Sequence, residues 1–453
     1  MMARSILSLT LSIILIGAAG ARAQNPYPNA VTDRLIHPKT PMPLPPPSVN
    51  KVFRDPDFGS LMVRVTDETT NFTRPGGYLR TEASGQSNMW SIDNKKFYVV
   101  AEGGTTLAFG FDPSTMAISS LPGAHPRGGL LVPLRPAASF SFVDPDLIYG
   151  TKSANPLAIS SYRFSTGVST PVLDTRTCGT EPALSATAVS DDDVTLSAGD
   201  ARISISEGGS QFDKHMFVIV YDKNLGCRWY NTQTGRIGGQ WGPSGTATAP
   251  AGGLIHHAYI SRSGNYVRIM VVNFGSYFWE VGSLNVTTCP THGTLLCAGY
   301  GVVGYNSWVN AAGAIDSMNI LKRPLNKLAQ TSQLVYPLPP PHYWGAQRHF
   351  SWSNVDAHDS TPVCMSGFRY YAEDITQPYD GEVFCVETDG LASAVWRFAH
   401  HRSTVDLDYF NTQPGGSISM DGRFWLFTSD WDEQVGTESN GRPRSDVWIL
   451  KLD

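Results

Sequence analysis

The sequence predicts an all-β chain, folded as a single seven-bladed β-propeller of four-stranded antiparallel blades and closed by an N-terminal strand that completes the C-terminal blade. Three observations carry this prediction. Helical periodicity is nearly absent, and 43 Gly, 31 Pro and 11% aromatic residues suit a chain rich in strands and turns. Short apolar segments and turns recur in units of roughly 40 to 50 residues, which a β-sandwich or a β-helix, the alternatives, accommodates poorly. The last unit has three strands, while one strand without a hairpin partner lies far upstream.

Residues 1–23 have the pattern of a secretory signal peptide. Arg4 precedes an apolar run, and Ala21-Arg22-Ala23 forms a small-residue cleavage site. The apolar run is short for a membrane span, and no later run approaches the roughly 18 residues that a span needs. We therefore expect a secreted or periplasmic protein with no membrane span after signal cleavage; an uncleaved anchor is the alternative.

Residues 24–58 are predicted to be a Pro-rich N-terminal spacer, and residues 59–453 to be the propeller. The stretch from His37 to Pro47 reads HPKTPMPLPPP, and this density of proline favours extended polyproline II over packed structure. We expect the spacer to be exposed, since it lacks a burial pattern.

The seven units share the order strand, tight turn, strand. They are predicted at residues 88–120, 138–173, 183–230, 255–289, 302–336, 349–398 and 413–453. The first turn of each unit is expected at residues 92–95, 143–146, 191–193, 261–264, 310–313, 353–360 and 419–422. One terminus of a propeller commonly completes the blade that the other terminus begins. Leu61–Asp67 is therefore expected to pair with Asp446–Leu452 as the outer edge of the seventh blade.

The six cysteines all follow the predicted signal peptide, and an even number in an exported chain favours disulfides. Proximity in sequence selects three pairs: Cys178 with Cys227, Cys289 with Cys297, and Cys364 with Cys385.

The formal net charge of -5, with only 16% charged residues, gives no electrostatic footprint for nucleic acid. The sequence has no G-x-S-x-G, H-E-x-x-H, P-loop or dinucleotide-binding fingerprint. We expect a monomer whose partner is an extracellular polysaccharide or another acidic ligand.

Two turn motifs carry a resemblance. Trp90-Ser91-Ile-Asp93-Asn-Lys95 and the I-S-x-D-G-R of Ile418 to Arg423 resemble the repeats of TolB-type and oligogalacturonate-lyase-type propellers of secreted bacterial proteins, over roughly Gly59 to Asp453. In the lyase family, histidines and a glutamine at the propeller's centre hold a divalent metal ion, so the resemblance implies such an ion as a cofactor. Gln413 stands where such a glutamine would, but Gly415-Gly416 follows where that family has histidine. The metal ligands therefore remain unknown.

Aligning the units on the residue before the first turn brings polar residues to the start of each innermost strand, around one mouth of the central channel. The alignment uses Ser91, Ser261, Asn310, Ser353 and Ser419. The starts then read Gln86-Ser87, His256-His257, Tyr305-Asn306, Arg348-His349 and Gln413-Pro414-Gly415. Any one of these residues has an ordinary structural explanation, whereas their convergence predicts a site.

Two functions fit this site. The first is a polysaccharide lyase that cleaves uronate-containing glycan by β-elimination, which needs a cation, a base and an acid. Arg348 would be the cation, His349 or His257 the base, and Tyr259 or Tyr305 the acid. Substrate contacts would come from Gln86, His256, Tyr305, Asn306, Gln413 and Trp344. The second is a non-catalytic propeller scaffold that binds a glycan or a protein.

Overall fold

The computed structural model describes residues 25–43, 49–82, 85–126, 128–185, 188, 190–208, 215–249, 251–271, 275–289, 301–314, 317–327, 333–337, 346–352, 355–369, 375, 377–389, 394–406 and 409–453. Within these ranges the regular elements are 32 strands and two short 3-10 helices. The strands form seven antiparallel sheets, which confirms the predicted seven-bladed propeller. In the described part of the chain, no helix is long and apolar enough to cross a membrane.

Two strands precede the first blade: β1 (Val52–Arg54) and β2 (Leu61–Arg64). Blade 1 contains β3 (Leu79–Arg80), β4 (Lys96–Ala101), β5 (Thr105–Asp112), β6 (Ala117–Ser119) and β7 (Leu130–Val132). Blade 2 contains β8 (Ser139–Phe140), β9 (Leu147–Lys152), β10 (Asn155–Arg163) and β11 (Val168–Asp174), followed by the 3-10 helix η1 (Thr175–Cys178). Blade 3 contains β12 (Ser190–Leu196), β13 (Arg202–Glu207), β14 (Phe217–Asp222), β15 (Gly226–Asn231), β16 (Arg236–Gly239) and β17 (Gly245–Thr246).

Blade 4 contains β18 (Ile255–Ile260), β19 (Tyr266–Val271), β20 (Gly275–Glu280) and β21 (Val286–Cys289). Blade 5 contains β22 (Gly301–Val303), β23 (Ser307–Ala314), β24 (Ser317–Pro324) and β25 (Gln333–Pro337). Blade 6 contains β26 (Ala346–Ser351), β27 (Val363–Arg369), β28 (Glu382–Val386) and β29 (Val395–His400). The 3-10 helix η2 (Phe410–Thr412) leads into blade 7, which contains β30 (Gly416–Ile418), β31 (Phe424–Ser429) and β32 (Asp446–Lys451) together with β1 and β2.

The ring is closed by β2, as predicted. This strand pairs antiparallel with β32, with Met62 opposite Leu450, and a buried ion pair between Arg64 and Asp446 joins the same two strands. The outer edge of the blade is nevertheless β1, because Val52 pairs with Val63 on the far side of β2. The expectation that Leu61–Asp67 forms the edge was therefore wrong by one strand.

The N-terminal segment 25–43 is mostly exposed, but some of its residues contact blade 6. Tyr27 is only 3% exposed, and its ring meets Trp396 and Phe398 edge-on at centroid distances of 5.3 and 5.2 Å. Val31 forms a β-bridge with Arg397, whose guanidinium lies 2.8 Å from the carboxylate of Asp33. Single apolar and charged side chains therefore anchor this part of the chain to blade 6.

The first turns predicted at residues 261–264 and 419–422 are present. Gly264 and Gly422 adopt φ of +76° and +75°, values that only glycine adopts without strain. The turns expected at Asp191–Asp193 and Asn310–Gly313 are instead strand residues of β12 and β23. In blade 5 the innermost strand ends at Val303, so its turn falls at residues 304–306, earlier than predicted.

Two of the predicted disulfides are present. Cys178, at the end of η1, is bonded to Cys227 of β15, and Cys364 is bonded to Cys385 directly opposite on β28. The pairing predicted for Cys289 involves Cys297, which lies outside the described residues.

The central channel is crossed by a segment of blade 1. After β3 the chain leaves the blade, and residues 81–82 and 85–88, here called the channel segment, lie inside the ring. The Gln86 side chain donates to Val303 O at 3.1 Å and accepts from Val303 N at 2.9 Å, while Arg262 donates to Gln86 O at 3.2 Å. Blades 4 and 5 are not neighbours of blade 1, so these contacts must pass through the centre.

Candidate active site at the channel mouth

The innermost strands of the blades begin at the same end of the ring, here called the mouth. Neighbouring strand starts contact one another directly: Val194 N donates to Ala137 O at 3.1 Å, and Thr81 Oγ1 donates to Gly415 O at 2.7 Å. Residues from neighbouring blades therefore meet at this end of the ring.

His257 and Asp193 form an acid–imidazole pair at the mouth. His257 Nδ1 lies 2.7 Å from Asp193 Oδ2, and the two side chains are 12% and 5% exposed. A carboxylate only accepts hydrogen bonds, so this contact places the imidazole proton on Nδ1 and the lone pair on Nε2. A histidine held in this tautomer by a carboxylate is arranged to act as a base.

A β-bulge explains why two successive histidines turn towards the mouth. The register between β18 and β19 shifts between Ile255 and His257, so His256 is the extra residue of its strand. Both imidazoles are half-buried, and their ring centroids are 4.2 Å apart. Tyr259, the next residue on the face of His257, stacks on it at 5.6 Å and holds the ring from below.

His349 and Gln413 form a second pair, contributed by blade 6 and the connection to blade 7. His349 Nε2 lies 3.1 Å from Gln413 Oε1. The imidazole stacks on Phe368 at 5.3 Å and meets Phe410 edge-on at 6.4 Å. This pair lines a small pocket whose full set of walls is Arg80, Thr81, Glu82, His349, Phe410, Gln413, Gly415 and Thr428.

Two charged residues lie at the mouth between these two pairs: Glu82 of the channel segment and Arg80, which directly precedes that segment. Glu82 Oε1 accepts from Ala137 N at 2.5 Å, which directs this carboxylate towards blade 2. Burial raises the pKa of Tyr98 well above its usual range, and the charges of Glu82 and Asp193 raise it further while Arg80 opposes them. Glu82, Asp193 and Arg80 therefore all lie close enough to the buried Tyr98 hydroxyl to affect its pKa.

Several residues predicted for the site lie elsewhere. Tyr305 and Asn306 are at the opposite end of the ring, in the first turn of blade 5, where their backbone N–H groups donate to Asp359. Tyr305 and Asn306 therefore do not join the histidines at the mouth, because the turn of blade 5 comes earlier than the alignment assumed. Gln86 lies below the mouth, in the channel.

Three further predictions have different outcomes. Tyr259 is 4% exposed and belongs to the apolar cluster between blades 4 and 5, so it supports His257 rather than reaching the mouth as an acid. The side chain of Arg348 and the whole of Trp344 lie outside the described residues.

Four residues of the mouth were not predicted from the sequence: Arg80, Glu82, Asp193 and Phe410. Asp193 belongs to a run of three aspartates that has the composition of a turn. Arg80 and Glu82 precede the first recognisable strand of their unit, and Phe410 lies in a connection. Leu79-Arg-Thr-Glu82 is one apolar residue followed by three polar ones, so no period-two pattern indicates these residues.

The described residues do not fit the metal site that the resemblance implied. His349 and Gln413 are together, but a side chain at Gly415 would start 3.8 Å from His349 Nδ1, and glycine supplies no ligand there. No group of three or more His, Cys, Asp or Glu side chains in the described ranges is placed to hold a metal ion. We therefore derive no step through a metal.

No protein-family model and no curated protein sequence matches the chain. Among solved structures, an oligogalacturonate lyase from Vibrio parahaemolyticus matches with a TM-score of 0.57 and 13% identity, over 90% of this chain and 97% of that chain. An oligogalacturonate lyase in complex with manganese matches with a TM-score of 0.54 at the same identity and coverage. TolB from Acinetobacter baumannii matches with a TM-score of 0.32 at 12% identity over 62% of this chain and 61% of that chain, too low to support an argument. The two lyase matches confirm the resemblance at the level of the propeller fold.

Proposed function

We propose that this protein is an exported polysaccharide lyase that binds uronate-containing glycan at the mouth and cleaves it by β-elimination. The observation that carries the proposal is the His257–Asp193 pair, 2.7 Å apart at the opening of the channel. The similarity in fold to the oligogalacturonate lyases agrees with the proposal without establishing it. The disulfides Cys178–Cys227 and Cys364–Cys385 are compatible with a secreted or periplasmic location.

The reaction assigns one task to each group at the mouth. His257 Nε2 takes the proton α to the uronate carboxylate, and the electron pair of that C–H bond forms the new C=C bond. The β C–O bond breaks, and its oxygen leaves with a proton. His256, half-buried beside His257, donates that proton.

The developing negative charge on the carboxylate needs a cation. Arg80 takes the role that the sequence assigned to Arg348, since its guanidinium lines the mouth pocket. Asp193 holds His257 in the productive tautomer and stabilises the imidazolium that forms after proton transfer.

The test is incubation of the purified mature protein with polygalacturonate, alginate and a glucuronate-containing polysaccharide, following the ultraviolet absorbance of the unsaturated product. Each substrate is assayed with a chelator, with added Mn²⁺ and with neither. Unsaturated product in any of these reactions supports the proposal. Binding of a substrate with no unsaturated product under any condition contradicts it.

That second outcome is the signature of the alternative function, a non-catalytic glycan-binding propeller. One observation favours this alternative: Phe410, an aromatic side chain at the mouth, is 43% exposed. Exposed aromatic surface is more typical of a binding platform than of a closed catalytic pocket. Equilibrium titration with the same three polysaccharides would measure such binding directly.

A further inference from the structure

Phe410 is exposed although the residues on either side of it are held firmly. Tyr409 is 8% exposed and donates its hydroxyl to Glu438, and Thr412 is 1% exposed. Gln413 N donates to Phe410 O at 3.1 Å, which closes the 3-10 turn. The ring is therefore displayed on a fixed turn. The other large hydrophobic side chains that are exposed in the described part of the chain are all aliphatic.

Arg80 lies against this ring with part of its hydrogen-bonding capacity unused. Its guanidinium carbon is 5.7 Å from the centroid of Phe410, and its Nη1 donates to Thr81 O at 2.9 Å. Its Nε is buried and has no hydrogen-bond partner. The Nε edge of a guanidinium offers two parallel N–H donors, which match the two oxygens of a carboxylate. A buried donor without a partner is costly unless a ligand satisfies it.

Glu82, the acidic side chain in the same pocket, does not occupy this edge. Its Oε1 is engaged by the backbone N–H of Ala137. The pocket therefore combines one aromatic ring, one cation with an open donor edge, and the amide and imidazole of Gln413 and His349.

We propose that Phe410 and Arg80 form a subsite for a single uronosyl residue, in which the C–H face of the pyranose ring packs on Phe410 and the carboxylate binds the Nε edge of Arg80. This subsite rests on the proposed function and deepens it by naming the groups that recognise the acidic sugar. It selects uronates over neutral sugars of the same shape, because only a carboxylate satisfies the donor edge. Phe410 contributes affinity for the ring, and Arg80 contributes the selectivity for charge.

The experiment measures binding of trigalacturonate, trimannuronate and neutral galactotriose by calorimetry, in a His257→Ala background so that turnover does not consume the ligand. Phe410→Ala should weaken binding of the uronate trimer roughly 5-fold, as expected for loss of one stacking contact, and should preserve the preference over galactotriose. Arg80→Gln should weaken it at least about 10-fold and remove the preference. Arg80→Lys, which keeps the charge but not the two-donor edge, should fall between.

The matched control is Leu225→Ala, which truncates a 52% exposed side chain in the turn between β14 and β15, at the end of the ring opposite the mouth. This variant should bind as its parent does. Unchanged uronate binding in Phe410→Ala, with normal melting temperature, overturns the subsite while leaving the proposed function intact. If the parent binds neither uronate trimer and the wild-type protein cleaves none of the polysaccharides, the proposed function fails and the subsite fails with it.

Discussion

The imidazole of His257 and the carboxylate of Asp193 meet at 2.7 Å across the boundary between blades 4 and 3. Each side chain comes from an innermost strand, so the pair exists only when the two blades pack in register. Ile260 N donates to Thr195 Oγ1 at 3.0 Å on the same two strands and fixes that register.

Asp193→Asn should reduce lyase activity at least about 100-fold, because an amide in place of the carboxylate removes the charge and favours the other imidazole tautomer. Asp222→Asn is the control, since it removes an ion-paired carboxylate of the same blade at the opposite end. The measurement is kcat on the substrate that the panel identifies, together with the melting temperature. Equal losses of activity in both variants would argue against a role for Asp193 at the mouth.

His257→Ala and His349→Ala should each impair activity or ligand binding while shifting the melting temperature by only a few degrees, because both imidazoles border the mouth. The two variants should differ in kind. His257→Ala should lower kcat, and His349→Ala should mainly raise KM, because His349 lines the pocket with Phe410 and Gln413. If both variants lose several kcal/mol of stability and keep full activity, these histidines are structural and the site is elsewhere.

Tyr27→Ala should destabilise the protein by roughly 3 kcal/mol, as large-to-small changes of buried aromatic residues do. Tyr27 packs on Trp396 and Phe398, and its hydroxyl donates to Gly422 O at 3.0 Å. Urea denaturation measures the change, and Leu35→Ala, at a 66% exposed position of the same segment, is the control. A Tyr27→Ala variant as stable as the control would show that the contacts of Tyr27 with blade 6 do not contribute to stability.

Replacing Cys364 and Cys385 together with serine should cost about 3 kcal/mol, since the bond closes a loop with a sequence separation of 21 residues. Peptide mapping under non-reducing conditions should find the two cysteines linked to each other. A peptide joining Cys364 to Cys178 or Cys289 would contradict the pairing.

Glu207→Gln should change how stability depends on pH. Burial raises the pKa of Glu207 to about 8, so the folded protein keeps a proton that the unfolded chain releases above its ordinary value of 4.5. Between these values the folded state binds more protons, and its stability falls as pH rises. The variant should therefore exceed the wild type by roughly 2 to 4 kcal/mol at pH 8 and match it near pH 4.5. Urea denaturation at several pH values tests this, and parallel curves for the two proteins would refute it.

The architecture was predictable because its signals are local. Blade 4 matched its predicted bounds, since a strand of alternating residues ends in Ser261-Arg-Ser-Gly264 and the final glycine adopts positive φ. Asn310-Ala-Ala-Gly313 has similar composition but pairs along its whole length with β24. Tertiary pairing there overrode turn propensity, which a local pattern does not reveal.

The site was less predictable because half of it comes from irregular backbone. Asp193 lies next to a register shift in β12, so a strand residue has the sequence context of a turn. Arg80 and Glu82 lie where the chain leaves blade 1 and enters the channel. The sequence there lacks the period-two alternation that marks a strand. His257 and His349 were found because their strands pair regularly from these residues onward, and the bulge at His256 lies before His257.

Gln86 forms a second connection that stabilises the ring. The seam between β2 and β32 closes the circumference, whereas the two hydrogen bonds from Gln86 to Val303 span the diameter. If the pairing between β2 and β32 were lost, the hydrogen bonds between Gln86 and Val303 would still connect blade 1 to blade 5. Because the channel segment crosses the centre of the ring, we expect a ligand that binds at the mouth to dissociate through the mouth rather than through the opposite end.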